Sequence, residues 1–169
     1  MAGSLEFIKS ASGTSVSSLD VTDCFSADYD VYYFSITKVE RVSGNNFMEI
    51  RYLDSGGTVI SSAEYDYASL ETRAYTFFGQ NGVTASTSIK EIAYGEFLGG
   101  VSLYVYNPYD SSSYTFLTNQ SSSYVPSFGN WGSKVIGVHK SAEQLSGIRF
   151  LTQSSSYDNI TVNVYGVKG

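Results

Sequence analysis

The chain is poor in reactive side chains. Its 169 residues include one histidine, His139, one cysteine, Cys24, and two prolines. A lone cysteine permits no intrachain disulfide. Cys24 has aspartate and aromatic neighbours and no nearby Lys, Arg or His to lower its pKa, so it reads as a small hydrophobe near the core. With one His and one Cys, the sequence offers no soft-metal cluster. A hydrolytic triad would have to use His139 as its base. No Gly-x-Ser-x-Gly elbow accompanies it. The formal net charge is -6 and no basic run occurs, so DNA and RNA are excluded as expected partners. No segment approaches the roughly 20 apolar residues of a membrane span. The first nine residues lack the basic-then-apolar order of a secretory leader, and synthesis in the cytoplasm is the expectation.

What the chain has is Tyr, Ser and Gly in abundance, with 15 Tyr and 16 Gly spread from end to end. Hydrophobic residues alternate with polar ones over short runs, and Gly, Asn, Asp and Ser punctuate them. That is the pattern of antiparallel strands and turns. From Asp30 to Val42, Tyr32, Phe34 and Ile36 share a face. From Phe47 to Leu53, Met48, Ile50 and Tyr52 do so. With Thr58-Val59-Ile60 these segments predict a three-strand meander. Val101, Leu103 and Val105 mark another strand, with Tyr114 to Thr118 as its hairpin partner. Lys134 to His139, Gly147 to Thr152 and Asn159 to Val167 complete the set, and Leu5 to Ile8 begins it. The first and last strands are expected to be neighbours. Helix is confined to two candidate turns, Ser141 to Leu145 and, more weakly, Ser69 to Arg73. Eight to ten short strands in one domain, residues 1–169, predict an all-β antiparallel β-sandwich. A jelly-roll-like arrangement is preferred over an immunoglobulin-like one, since no Cys…Trp…Cys pattern occurs.

Candidate site residues are few. His139 lies out of phase with Ile136 and Val138 and is expected to face solvent or an interface. Asp20 with Asp23, Asp28 with Asp30, and Asp66 between two tyrosines supply carboxylates near turns. None has the spacing of a calcium loop, and turn capping is their expected role. No cofactor is expected. Glu49, Glu64, Glu91 and Glu96 are the carboxylates from which a glycosidase pair would be drawn, though no motif pairs them. The remaining chemistry is aromatic. Tyr109, Tyr114, Tyr124, Phe128 and Trp131 crowd one stretch, of which Asn119 to Trp131 reads as a long loop or irregular edge. Such rings stack on sugars and anchor protein contacts, and they also form small cores beneath loops. The Ser triplets at 111–113, 121–123 and 154–156 read as loop filler.

Three segments resemble small virion proteins of tailed bacteriophages, especially marine and cyanobacterial ones. They are Phe25 to Tyr32 entering a strand, Val105-Tyr-Asn-Pro-Tyr-Asp110 followed by Tyr114-Thr-Phe116, and the ending Ile160-Thr-Val-Asn-Val-Tyr-Gly166. The resemblance carries no catalytic residues. It implies a non-enzymatic particle component located in the virion: a capsid decoration or cement protein, or a small knob or fibre module. Such proteins are β-rich and oligomeric, often trimeric, so the implied partners are copies of the chain and other virion proteins. The alternative is a lectin-like module that binds host glycans, and the third reading is a glycoside hydrolase.

Overall fold

A computed structural model describes residues 4–41, 46–74, 77–95, 97–126 and 129–168. It contains twelve strands: β1 Ser4–Val16, β2 Ser18–Val21, β3 Val31–Arg41, β4 Phe47–Asp54, β5 Tyr65–Arg73, β6 Phe77–Ser86, β7 Ile89–Tyr94, β8 Phe97–Tyr106, β9 Thr115–Val125, β10 Gly129–His139, β11 Leu145–Thr152 and β12 Tyr157–Lys168. No helix occurs among the described residues. The strands form two antiparallel sheets in a sandwich-like arrangement, as the alternation predicted. The large sheet runs β1-β12-β3-β8-β9-β10-β5-β6 and the small sheet β2-β11-β4-β7. The first and last strands pair along their length, from Ser4 with Lys168 to Val16 with Tyr157.

Both edges of the sandwich are corners where the chain changes sheet. At one, β1 bends at Ser17 into β2; at the other, β6 passes through residues 87–88 into β7. Each corner follows a non-glycine residue in the left-handed region, Ser15 at φ 56° and Ala85 at φ 54°. The second is pinned by Asp66, whose Oδ1 accepts the Ala85 N–H at 2.8 Å. Corner strands that switch sheets are how stacked sheets close.

The interior has two parts. Over β3, β8 and β12 it is apolar: Phe34, Ile36, Leu103, Val105, Ile160, Val162 and Val164 pack with Met48, Ile50, Ile148 and Phe150 of the small sheet, all buried. Over β9 and β10 it is mixed, with Leu117, Val125, Trp131 and Val135 buried beside a polar seam. Asn119, Ser121, Ser123 and Ser133 are buried there and turn toward β7. Ser133 Oγ reaches the carbonyls of Glu91 at 3.0 Å and Ile92 at 3.1 Å, and Ser123 Oγ donates to the Tyr94 carbonyl at 2.5 Å. Ser121 and Ser133 hydroxyls meet at 2.8 Å. The reason lies in β7. Among the described residues it pairs only with β4, through a bulge, and Glu91 has a φ of 64°. Carbonyls that leave the ladder must find other donors once buried, and this seam provides them. Glu91 itself is buried and takes the Ser69 hydroxyl and, at 2.8 Å, the Asn81 amide.

Several expectations are corrected. The meander does not form: β3 lies in the large sheet and β4 in the small one, and Val59 makes only an isolated bridge to Leu53. Ser69 to Arg73 is part of β5, and Ser141 to Leu145 is not helical. Within Asn119 to Trp131, residues 119–125 and 129–131 are paired strand in β9 and β10 rather than a loop. The phase of β10 is the reverse of that expected. Val135 and His139 are buried and Gly137 turns inward with them, while Ile136 is 63% exposed. Gly137 sets this phase, because a Cβ there would lie 2.6 Å from Ile89 Cδ1 of the opposing β7.

Gly147 marks the tightest backbone approach. A Cβ there would lie 2.2 Å from the Val21 carbonyl oxygen, which cannot swing aside. Gly147→Ala is expected to lower unfolding free energy by about 3 kcal/mol. Gly82→Ala, with nothing within 4 Å of the added carbon, should stay within about 0.5 kcal/mol of wild type. Urea denaturation of both variants checks this; equal midpoints would contradict the packing described.

Candidate functional site

The small sheet covers one side of the large sheet and leaves the other to solvent. The register of the large sheet assembles that outer face into rows running across the strands. One row reads Phe7, Tyr165, Tyr33, Tyr104, Thr118, Ile136, Ala68 and Gly82. The next reads Ser10, Asn163, Ser35, Ser102, Gln120, Lys134, Leu70 and Gln80. A third contains Tyr106, Phe116, Val138 and Asp66. Cross-strand neighbours on one face lie within contact distance, so each row is a continuous ledge.

The first row divides in character. Its β1–β8 half is aromatic. Phe7 and Tyr165 meet edge to face at 5.7 Å, Tyr165 and Tyr33 lie 6.0 Å apart, and Tyr33 and Tyr104 lie 4.9 Å apart. Four rings at a strand spacing of about 4.8 Å span about 14 Å. The hydroxyls and amides of Asn163, Ser35, Ser102 and Gln120 run alongside. A hollow of about 260 Å³ opens between Tyr104, Gln120 and Lys134. The β9–β6 half is aliphatic. Two hollows, of about 600 and 510 Å³, share Ala68, Gly82 and Ile136. Leu70 borders the first, and Val83, Phe116 and Val138 border the second. Ile136, Phe116 and Leu70 are 63%, 49% and 42% exposed. Contiguous exposed apolar surface of this kind marks interaction sites.

The aromatic cluster expected from the sequence does not assemble. Tyr109 and Tyr114 sit exposed in the turn between β8 and β9, where Asp110 Oδ1 caps the chain by accepting the Ser112 N–H at 2.8 Å. Tyr124 is exposed at the far end of β9. Ten extended residues separate it from Tyr114 by about 30 Å. Phe128 lies outside the described residues. Trp131 is 2% exposed and packs inward on Tyr94 at 5.4 Å and Phe47 at 6.3 Å. What sequence reasoning missed was the row of Phe7, Tyr165, Tyr33 and Tyr104. Its signal was present as the polar-side tyrosines of β3, β8 and β12, but only strand order aligns them.

The carboxylates are mostly engaged. Asp20 holds Arg149 through two hydrogen bonds of 2.5 and 2.6 Å. Asp66 pairs with Lys140 at 2.8 Å, and Asp28 accepts the Ser26 hydroxyl at 3.0 Å. Glu49 is buried and accepts from Ser88 Oγ at 2.7 Å. Glu91 is held as described, and Glu96 lies outside the described residues. Neither Glu49 nor Glu91 lines the hollows of the outer face. Glu64 is half-exposed and lies 3.4 Å from His139. His139 itself is fully buried rather than facing solvent. Burial pushes its imidazole below the ordinary range, against the opposing pull of Glu143 and Glu64.

No protein-family model matches the chain, and no curated protein sequence matches it. Among solved structures, it is similar to the CBM2 module of the evolved Dit protein of Lactobacillus casei BL23 phage J-1. Identity is 11% and the TM-score 0.29, over 94% of this chain and 76% of that one.

Two outcomes follow from these placements. The lone tryptophan should emit at blue-shifted wavelength and resist iodide quenching. Trp131→Ala should lower unfolding free energy by about 3–5 kcal/mol; solvent-exposed emission would contradict the burial. His139 enters the folded chain neutral and takes up a proton near pH 6.5 when unfolded. Its contribution to stability is therefore constant above about pH 6.5 and falls as pH drops through that value. Thermal unfolding of wild type and His139→Gln between pH 5 and 8 reads the difference, which should narrow toward acid.

Proposed function

We propose that the chain is a non-enzymatic binding module of a tailed-bacteriophage particle, working through the outer face of its large sheet. The observation that carries this reading is the aliphatic half of that face, where Ile136, Phe116 and Leu70 stand exposed around two joined hollows. A water-exposed isoleucine on a flat, low-charge sheet face gains about 1.5–3 kcal/mol when a partner covers it. The partner that fits is another protein surface of the particle, first a second copy of the chain, with a trimer as the favoured assembly. The resemblance of three segments to small virion proteins supports the particle location. Decoration of a shell and a knob or fibre position are both compatible with such a face.

A specific observation favours a second reading. The aromatic row, with hydroxyls and amides beside it, has the composition of a glycan platform, since ring faces stack on sugars while polar neighbours meet their hydroxyls. On that reading the module recognises a host surface polysaccharide.

Two variants separate the readings. Ile136→Lys should convert the wild-type assembly to monomer in sedimentation velocity, weakening association roughly ten- to a hundred-fold, with the circular dichroism unchanged. Tyr104→Ala should leave assembly intact and abolish any glycan-array signal. A wild-type chain that stays monomeric at high concentration and fails to bind particles lacking it would sink the protein-docking reading.

A further inference from the structure

A second site lies at one end of the sandwich, away from the rows of the outer face. His139 ends β10 and pairs in register with Tyr65, the first residue of β5. Glu64 precedes that strand, and Glu143 lies between β10 and β11. The fold thus brings together three residues from two distant stretches of chain. His139 Nε2 is 3.4 Å from Glu64 Oε2 and 3.6 Å from Glu143 Oε1, and one donor atom from each residue lies within 4.8 Å of the others.

The imidazole is 0% exposed, yet among the described residues neither ring nitrogen has a well-formed hydrogen bond. A buried ring nitrogen without a partner is costly unless something else meets it. Its Nε2 lies near both carboxylates, at 3.4 and 3.6 Å, distances too long for a charge-assisted hydrogen bond, which would be about 2.7–2.9 Å. Those distances are close to the edge of a tetrahedron around zinc, about 3.4 Å for bonds of about 2.1 Å. Among the described residues, neither Glu64 nor Glu143 has a Lys or Arg partner within 4.0 Å. The adjacent Lys140 turns to Asp66 instead. Ser62 Oγ donates to Glu64 Oε2 at 2.5 Å, the kind of outer contact that orients a metal-binding carboxylate.

We propose that His139, Glu64 and Glu143 form a mononuclear divalent-metal site of zinc type, with its fourth position open to solvent. The donor set decides the class. One imidazole and two carboxylates suit zinc and its borderline neighbours, whereas calcium takes six to eight oxygens. The two glutamates are 42% and 34% exposed, which leaves an entry path from solvent. A bound ion would join the end of β10, the start of β5 and the segment leading to β11.

The chain suits a clean test, because it has no other histidine and its one cysteine is buried. Untagged protein stripped with EDTA is titrated calorimetrically with zinc chloride, and separately with cobalt chloride while visible absorption is followed. The expected results are saturable one-to-one zinc binding, an intense tetrahedral cobalt spectrum and a higher thermal midpoint with zinc. Glu64→Gln and Glu143→Gln, both at partly exposed positions, should keep the wild-type circular dichroism. Each should weaken zinc binding by more than about tenfold, the loss already caused by removing an outer-shell partner. Absence of saturable zinc binding would overturn the proposal. So would binding that both variants retain in full, or binding of calcium chloride in preference to zinc.

Discussion

Ser133 stands where the two sheets meet, and its hydroxyl links β10 to β7 across the interior. It reaches two carbonyls of β7 and meets Ser121 on the neighbouring strand. β7 leaves regular pairing at Glu91, so its carbonyls would be buried without donors if β9 and β10 presented aliphatic side chains. The serine seam removes that penalty. It also lets β7 approach closely enough for Ile89 to fill the space above Gly137. Once Gly137 faces inward, the period of two turns Ile136 and Val138 outward. The exposed aliphatic face is thus a geometric consequence of how the interior is satisfied.

That chain of constraint explains which parts of the fold the sequence displayed. Where the inner residues are large and apolar, as with Tyr32, Phe34 and Ile36 or Ile160, Val162 and Val164, alternation alone identified strand and face. Where the inner residues are Ser, Asn, Gly and His, the same rule pointed the wrong way. Ser121 to Ser123 looked like loop filler and lies within β9. His139 looked exposed because Ile136 and Val138 are the greasier neighbours. The other two serine triplets do fall outside the strands, so composition by itself could not separate the cases. Pairing between distant strands was beyond reach as well, which is why β3 and β4 looked adjacent although they belong to different sheets.

The candidate face follows the same division. Tyr33, Tyr104 and Tyr165 were each recognisable as residues on the polar side of a strand. Nothing local says that β12, β3 and β8 are neighbours, or that their register sets these three tyrosines side by side with Phe7. Trp131, by contrast, attracted attention as a surface aromatic and belongs to the interior with Phe47 and Tyr94. His139, Glu64 and Glu143 are 75 and 79 residues apart at their extremes by simple numbering, from 64 to 139 and 143. Only the pairing of β5 with β10 makes them one cluster.

The outer face of the large sheet can be interrogated directly through a thiol placed on it. Cys24 is buried and its thiol is pushed up to about 12, so it gives no background in maleimide labelling. With Ile136→Cys, a face that works by docking should label rapidly in the dilute isolated chain and become protected in the assembled or particle-bound form. Equal labelling in both states would show that the face stays open to solvent, and that some other surface of the molecule makes the contact.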